Sequence, residues 1–302
     1  MIRLQAGGAL AAPRPGLRMR GPSTTPWLLV APAVVFYLLL FVVPFGNLIL
    51  SSFYDYSRLT GVIKVLTLKN YVRFWSDPFY LDILLRTFRV SLIATVVTLT
   101  AGFPVALYMT RASARVRGIV TLFILSPLLI SVVVRSFGWL IILGPEGLLQ
   151  SLLKPFGIDG AALMFTEAAV VIGLVNVFLP YMVLSIVASL QSIDPAVPRA
   201  ARSLGATRSQ VFRRITVPLS LPGVVAGSLI VFCLGSSAFV TPALLGGAEI
   251  KVLATLIYQQ MMVLQNWPFA AAISLALLVI VLAIVSLQMR FLERGRAGVI
   301  VH

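Results

Sequence analysis

Six stretches of this chain are apolar for long enough to cross a bilayer, with polar loops between them. A spanning helix needs about 20 mostly apolar residues. The stretches fall at about 26–50, 88–110, 119–143, 168–190, 223–245 and 269–290. They predict an all-α membrane protein with six transmembrane helices. Proline lies inside or at the rim of several spans, at Pro44, Pro104, Pro127, Pro180 and Pro242. Each proline removes a backbone donor that neighbouring helices or a wet cavity must offset. The pattern therefore favours a packed, irregular bundle over a set of simple anchors.

Composition agrees with lipid as the solvent: 59% of the residues are hydrophobic and 11% charged, against roughly 25% charged in soluble domains. The arginine-rich segment before residue 23 leads into an apolar run from Trp27 to Leu50. That run exceeds the 7–15 residues of a signal-peptide core, so it reads as a retained first span behind a disordered basic tail. A start codon assigned too far upstream is the alternative reading of the tail.

The net charge of +15 raises the question of nucleic acid, and the placement of the charges answers it. The N-terminal tail, the 111–118 loop, the 191–222 segment and the C-terminal tail together hold 15 basic residues and two acids, Asp194 and Glu293. The three loops on the other side hold eight basic residues and seven acids. Basic loops stay in the cytoplasm, so both termini are expected inside, and topology accounts for the charge without nucleic acid.

The segment from Arg199 to Leu219 is the longest basic insert between two spans. Asp194-Pro195 is a helix start signal. A first short helix is expected to end at Gly205, where the left-handed conformation costs little. Thr207 to Gln210 has the form of a capping box and opens a second helix. Pro218 is expected to stop that helix, and Pro222-Gly223 to turn the chain into the fifth span. On physics alone the projection suits an anionic lipid surface and a protein partner equally.

The spacing Ala200-Ala201, three residues, Gly205, nine residues, Ile215-Thr216-Val217-Pro218 resembles the EAA loop of ABC-importer permeases. That pattern runs Glu-Ala-Ala, three residues, Gly, nine residues, Ile-x-Leu-Pro. Arg199 stands where Glu is usual and Val217 where Leu is usual. Segments within about 67–290, among them FVTPALLGG and NWPFAAAISLAL, are similar to the spermidine/putrescine (polyamine) permease branch. The resemblance implies a type I ABC-importer permease-like bundle in the cell inner membrane. Its coupling helix would use Arg199, Ala200, Ala201, Gly205, Ile215 and Pro218 to dock on an ATP-binding subunit. It also implies a second permease subunit, two ATP-binding subunits and an extracytoplasmic solute-binding protein as partners, beside membrane lipid. The chain would then divide into a tail at 1–22, a first helix with an external loop at 23–87, a core permease domain at 88–292 with the coupling loop at 191–222, and a tail at 293–302. Polyamine is the favoured solute. An amino-acid-like solute, a phosphonate or another anion is the alternative.

The chain has no G-x-x-x-x-G-K-[ST] phosphate loop, so ATP is expected on a partner and no cofactor here. Ionisable groups inside a span are functional candidates, and Arg135 is the clear one. It stands eight residues from the outer end of the third span, about 12 Å deep at 1.5 Å per residue. It either lines a solute path or snorkels toward Glu146 or Glu167. Trp139, Asn176, Tyr181, Ser236, Phe239 and Thr241 are further path candidates, with Phe137 and Ser237 beside them. Pro180 leaves the Asn176 carbonyl without its helical donor, which suggests a locally opened helix. No Asp or Glu lies well inside a span, which speaks against a polycation unless partners supply acids.

Two other classes fit less well. An ion-coupled secondary transporter favours internal repeats and midplane ionisable groups, and Arg135 is the sole such group. An enzyme would need a catalytic set. His302 is the only histidine and Cys233 the only cysteine, and neither catalytic nor metal-binding residues assemble.

Overall fold

A computed structural model describes residues 25–154 and 163–297. The expected tail at 1–22 and the last five residues of the chain lie outside these. Six helical stretches are long and apolar enough to cross a membrane: Val30–Ser52, Pro78–Arg111, Val132–Leu152 (interrupted at residues 144–147), Glu167–Gln191, Arg208–Ser236 and Trp267–Arg290.

The chain divides into two compact units at Asn47/Leu48. The first holds helix α1 (Thr25–Ser52) as far as Asn47, with Pro32 and Pro44 inside it. Tyr37, Phe41 and Phe45 recur every four residues, so their rings stack along one face at 6.1 and 5.8 Å.

The second unit opens with the last turn of α1, then an antiparallel hairpin, β1 (Tyr54–Ser57) and β2 (Gly61–Leu66). It is followed by α2 (Lys69–Ser76), α3 (Pro78–Arg111), α4 (Ala114–Leu125), α5 (Val132–Leu143), α6 (Leu148–Leu153) and α7 (Glu167–Gln191). Then come α8 (Ala196–Ser203), α9 (Arg208–Val211), α10 (Val217–Ser236), α11 (Val240–Leu245), α12 (Leu253–Tyr258) and α13 (Trp267–Ala297).

The dry centre is α3, α7 and α10 packed on one another, with Ala94, Met182, Val183, Ile186 and Val231 wholly buried. Small residues set how closely they approach. A Cβ on Gly223 would meet the Ser185 carbonyl and Ser189 Cβ at 2.5 Å, and one on Gly227 would meet Met182 Sδ at 2.8 Å. Such close backbone contact is how membrane helices gain packing energy without a hydrophobic drive between them. A second cluster joins Phe74 of α2 and Tyr80 and Ile83 of α3 to Leu253, Phe269 and Ile273. Thr87 ties it together: its hydroxyl donates to the Ile83 carbonyl and accepts from the Leu253 N–H at 2.9 Å.

Three expected spans are corrected. The stretch 119–143 is not one helix. After α4, Ser126–Leu129 forms a 3-10 turn, the chain extends through Ile130 and Ser131, and α5 starts anew. Pro127 supplies no N–H, and the Ser131 hydroxyl accepts from Val133 N–H as a fresh cap.

The fifth span is shifted toward the insert. The helix runs from Arg208 to Ser236, breaks at Ser237–Phe239, and resumes as the short α11. Neither Pro218 nor Pro222 stops it. Residues Phe212–Thr216 form a wider π turn in which the Val217 N–H bonds the carbonyl of Phe212. That change of register carries the helix past Pro218, whose missing donor would end a regular α-turn. The second span also begins earlier than expected, at Pro78, where Asp77 caps it by accepting from Phe79 N–H.

Candidate functional site

The insert is built from local hydrogen bonds. Asp194 Oδ1 accepts from the Ala196 N–H at 2.8 Å and opens α8. At the other end Gly205 N–H bonds the Arg202 carbonyl at 2.9 Å and Ala206 N–H bonds the Ala201 carbonyl at 3.0 Å. This pair of bonds is the Schellman closure, and it holds Gly205 at φ +88°. A Cβ there would meet nothing within 4 Å, so glycine is required by conformation and not by space. One residue later Thr207 Oγ1 accepts from Gln210 N–H while Gln210 Oε1 accepts from Thr207 N–H at 2.8 Å. The expected capping box is therefore present. From it the chain passes through the π turn into α10 without a break.

The result is a self-capped bend whose surface is basic. Arg199, Arg202, Arg208, Arg213 and Arg214 are exposed, and none makes an ion pair among the described residues. Leu204, at the tip, is 88% exposed. A shallow pocket lined by Ala201, Leu204, Gly205, Gln210, Val211 and Arg214 lies in the bend. Of the family-implied residues, Ala200 and Pro218 are exposed and Ala201 and Ile215 half-buried. The bend holds all of them within one short stretch.

The path candidates fall into three settings. Arg135 and Trp139 lie on α5, which packs on α7 and α11. Tyr181, on α7, is exposed. Thr241, on α11, is buried against α7, where a Cβ on Gly173 would meet its methyl at 2.6 Å. Asn176 is half-buried one turn further along α7. Helix α7 continues through Pro180 to Gln191, so the expected opening amounts to one missing bond and not an unwound turn. Ser236 is buried at the end of α10 and donates to the Phe232 carbonyl at 2.8 Å, while Ser237 is exposed. Phe239 packs against Tyr258 with the rings tilted by 37° and their centroids 4.8 Å apart. Phe137 is exposed.

Arg135 makes no ion pair among the described residues, and its Nε and Nη1 are buried without a hydrogen-bond partner. The expected reach toward Glu167 is not made. Glu167 is held by Arg86 at 3.7 Å and by Arg89, and Arg86 also pairs with Asp82 and donates to the Glu249 carbonyl. This clasp joins the starts of α3 and α7 to the loop before α12. The sequence reading missed it because its links between elements join residues 78 or more apart. The hairpin was also missed, although the β-branched run Val62-Ile63-Lys64-Val65 after Gly61 was a signal for it.

Six long apolar stretches, with a dry core and a basic projection in the second unit, define a multi-pass membrane protein. The family described as "Binding-protein-dependent transport system inner membrane component" matches residues 98–297, and the chain belongs to it. The spermidine/putrescine transport system permease protein PotB of Escherichia coli (strain K12) is 35% identical over 250 residues, 82% of this chain and 90% of that protein. Its counterpart in Haemophilus influenzae is 31% identical over 265 residues, 86% of this chain and 92% of that protein. Among solved structures, a bacterial alginate ABC transporter in complex with an alginate pentasaccharide-bound periplasmic protein has a chain that superposes with a TM-score of 0.76. It is 20% identical and covers 90% of this chain and 96% of that one; the likeness shows the fold. The chain is an ABC-importer permease, a multi-pass inner-membrane protein and not itself a catalyst.

Proposed function

We propose that this permease carries polyamines inward, with residues 195–218 as the handle by which a separate ATP-binding subunit moves the spans. The observation that supports the handle is continuity. A bend fixed by its own caps runs without a break into α10, and α10 packs on α3 and α7. A push on the bend would therefore be delivered to the centre of the bundle as a rigid displacement. The distribution of basic residues supports an orientation with the insert and both termini in the cytoplasm, where nucleotide is available. The lack of a phosphate loop in the sequence supports ATP binding by a partner. The full complex would add a second permease subunit, two ATP-binding subunits and an external solute-binding protein. The polyamine reading rests on the PotB relatives.

Gly205→Arg tests the handle. The variant should insert and fold, because the space around Gly205 is open, and uptake of labelled spermidine or putrescine should be abolished. Normal uptake by the well-inserted variant would contradict the reading. An anionic solute is the second reading, favoured by the unpaired Arg135. Competition of uptake by unlabelled polyamines and by small anions separates the two.

A further inference from the structure

Three features of the α4–α5 region lack an explanation within the chain. The chain is irregular at Ile130 and Ser131, between the α4 and α5 helices of an apolar stretch, and Leu129 and Ile130 are exposed there. Non-helical backbone at membrane depth is tolerated where protein or a wet cavity covers it, and not against lipid. Next to the break, α5 leaves Val134, Phe137 and Ile141 exposed at helical spacing. On the same helix turn Arg135 buries Nε and Nη1 with no partner among the described residues. Burying part of a guanidinium without a counter-charge costs stability, whereas the same group in a well-formed ion pair is tolerated.

We infer that this face is the contact with the second transmembrane subunit, and that a carboxylate from a span of that subunit pairs with Arg135. Acyl chains satisfy neither the break nor the charge. None of the described acids of this chain pairs with Arg135: Glu167 is shared by Arg86 and Arg89, Asp82 pairs with Arg86, Asp55 is held by Lys69, Asp77 and Asp194 cap α3 and α8, and Glu146 and Glu249 make no ion pair among the described residues. The inference rests on the reading above, in which the permease is a hetero-pair moving a cation. Under that reading an unneutralised arginine near the path would repel the solute, and a fixed carboxylate removes the repulsion.

The test uses the whole transporter, purified in mild detergent through a tag on this chain. It reads recovery of the second subunit together with polyamine uptake by cells. Arg135→Glu should lower both by about tenfold or more, and Arg135→Gln by less. Arg135→Lys should recover part of the assembly. Changing one intramembrane Asp or Glu of the second subunit to Lys should restore assembly to Arg135→Glu. Four results would overturn the inference. One is unchanged assembly and uptake in Arg135→Glu and Arg135→Gln. Another is restoration by Asp159→Lys or Glu146→Lys within this chain, which places the partner in cis. A third is normal assembly with loss of uptake confined to an anionic solute, which makes the solute the counter-charge. The last is a wild-type complex with no second transmembrane subunit, which also removes the hetero-pair reading, whereas a failure confined to Arg135 variants leaves that reading standing.

Discussion

The insert bend and the α3–α7–α10 centre use the same residue, glycine, for opposite reasons. Gly205 sits in open space and is needed for its positive φ. Gly223 and Gly227 have helical backbones that any residue can adopt, and are needed because another helix lies where a side chain would go. One region is shaped by local hydrogen bonds and offers a surface. The other is shaped by contact and offers none. Substitutions in the centre should therefore damage the protein, and substitutions in the bend should damage its use.

The largest effect is expected at the centre. Gly223→Leu and Gly227→Leu place branched side chains within 3 Å of α7 atoms. Overpacking of this kind costs about 1–3 kcal/mol, and more where backbone must move. Both should sharply reduce the yield of monodisperse protein on size-exclusion chromatography. If instead they purify and melt like the parent, close packing of α10 on α7 is not what holds the bundle.

An intermediate effect is expected at Gly205. Gly205→Ala forces a left-handed conformation on a residue with a Cβ, at about 1–2 kcal/mol, whereas Gly205→Asn should be milder. Recovery from membranes should be close to normal for both, and uptake should fall more for Ala than for Asn. Equal uptake by the two variants would show that φ at this position is not the requirement. A similar but smaller loss, about 1 kcal/mol, is expected for Thr207→Ala, which removes the cap on α9. It should appear as faster limited proteolysis confined to the insert.

The smallest effect belongs to the hairpin. The Tyr56 backbone N–H and the Lys69 ammonium hold the Asp55 carboxyl below its ordinary value. A depressed carboxylate contributes stability that is present above its unfolded value and is lost as pH falls through the folded one. The parent should thus become slightly easier to cleave in the 54–69 segment as pH drops below the usual carboxylate range. Asp55→Asn should show the parent's low-pH behaviour already at neutral pH, with little further change on acidification.

The bend was legible in the sequence because its chemistry is local. Asp194-Pro195, Gly205 and the Thr207/Gln210 pair announce bonds that close within a few residues, and each forms as expected. Hydropathy located the six spans but could not report their continuity. Pro127 breaks its stretch, Pro180 does not break α7, and the helix passes Pro218. What differs is support from outside the segment. Helix α7 is packed by both α3 and α10, and Pro218 follows a π turn whose formation no local pattern announces. The Glu167 clasp and the isolation of Arg135 depend on distant residues, so neither could be read from spacing. The shift of the fifth span has the same origin, and it is what joins the bend to the bundle core.

The central claim is that the bend grips the ATP-binding subunit and moves α10. The most direct test places a single cysteine at Leu204, the exposed tip, in a Cys233→Ala background, and treats assembled transporter with a short-arm crosslinker. The account predicts one adduct with the ATP-binding subunit, whose yield changes between nucleotide-free and ATP-bound states. Labelling of Leu204→Cys by lipid-soluble probes alone, with no protein adduct in either state, would contradict it.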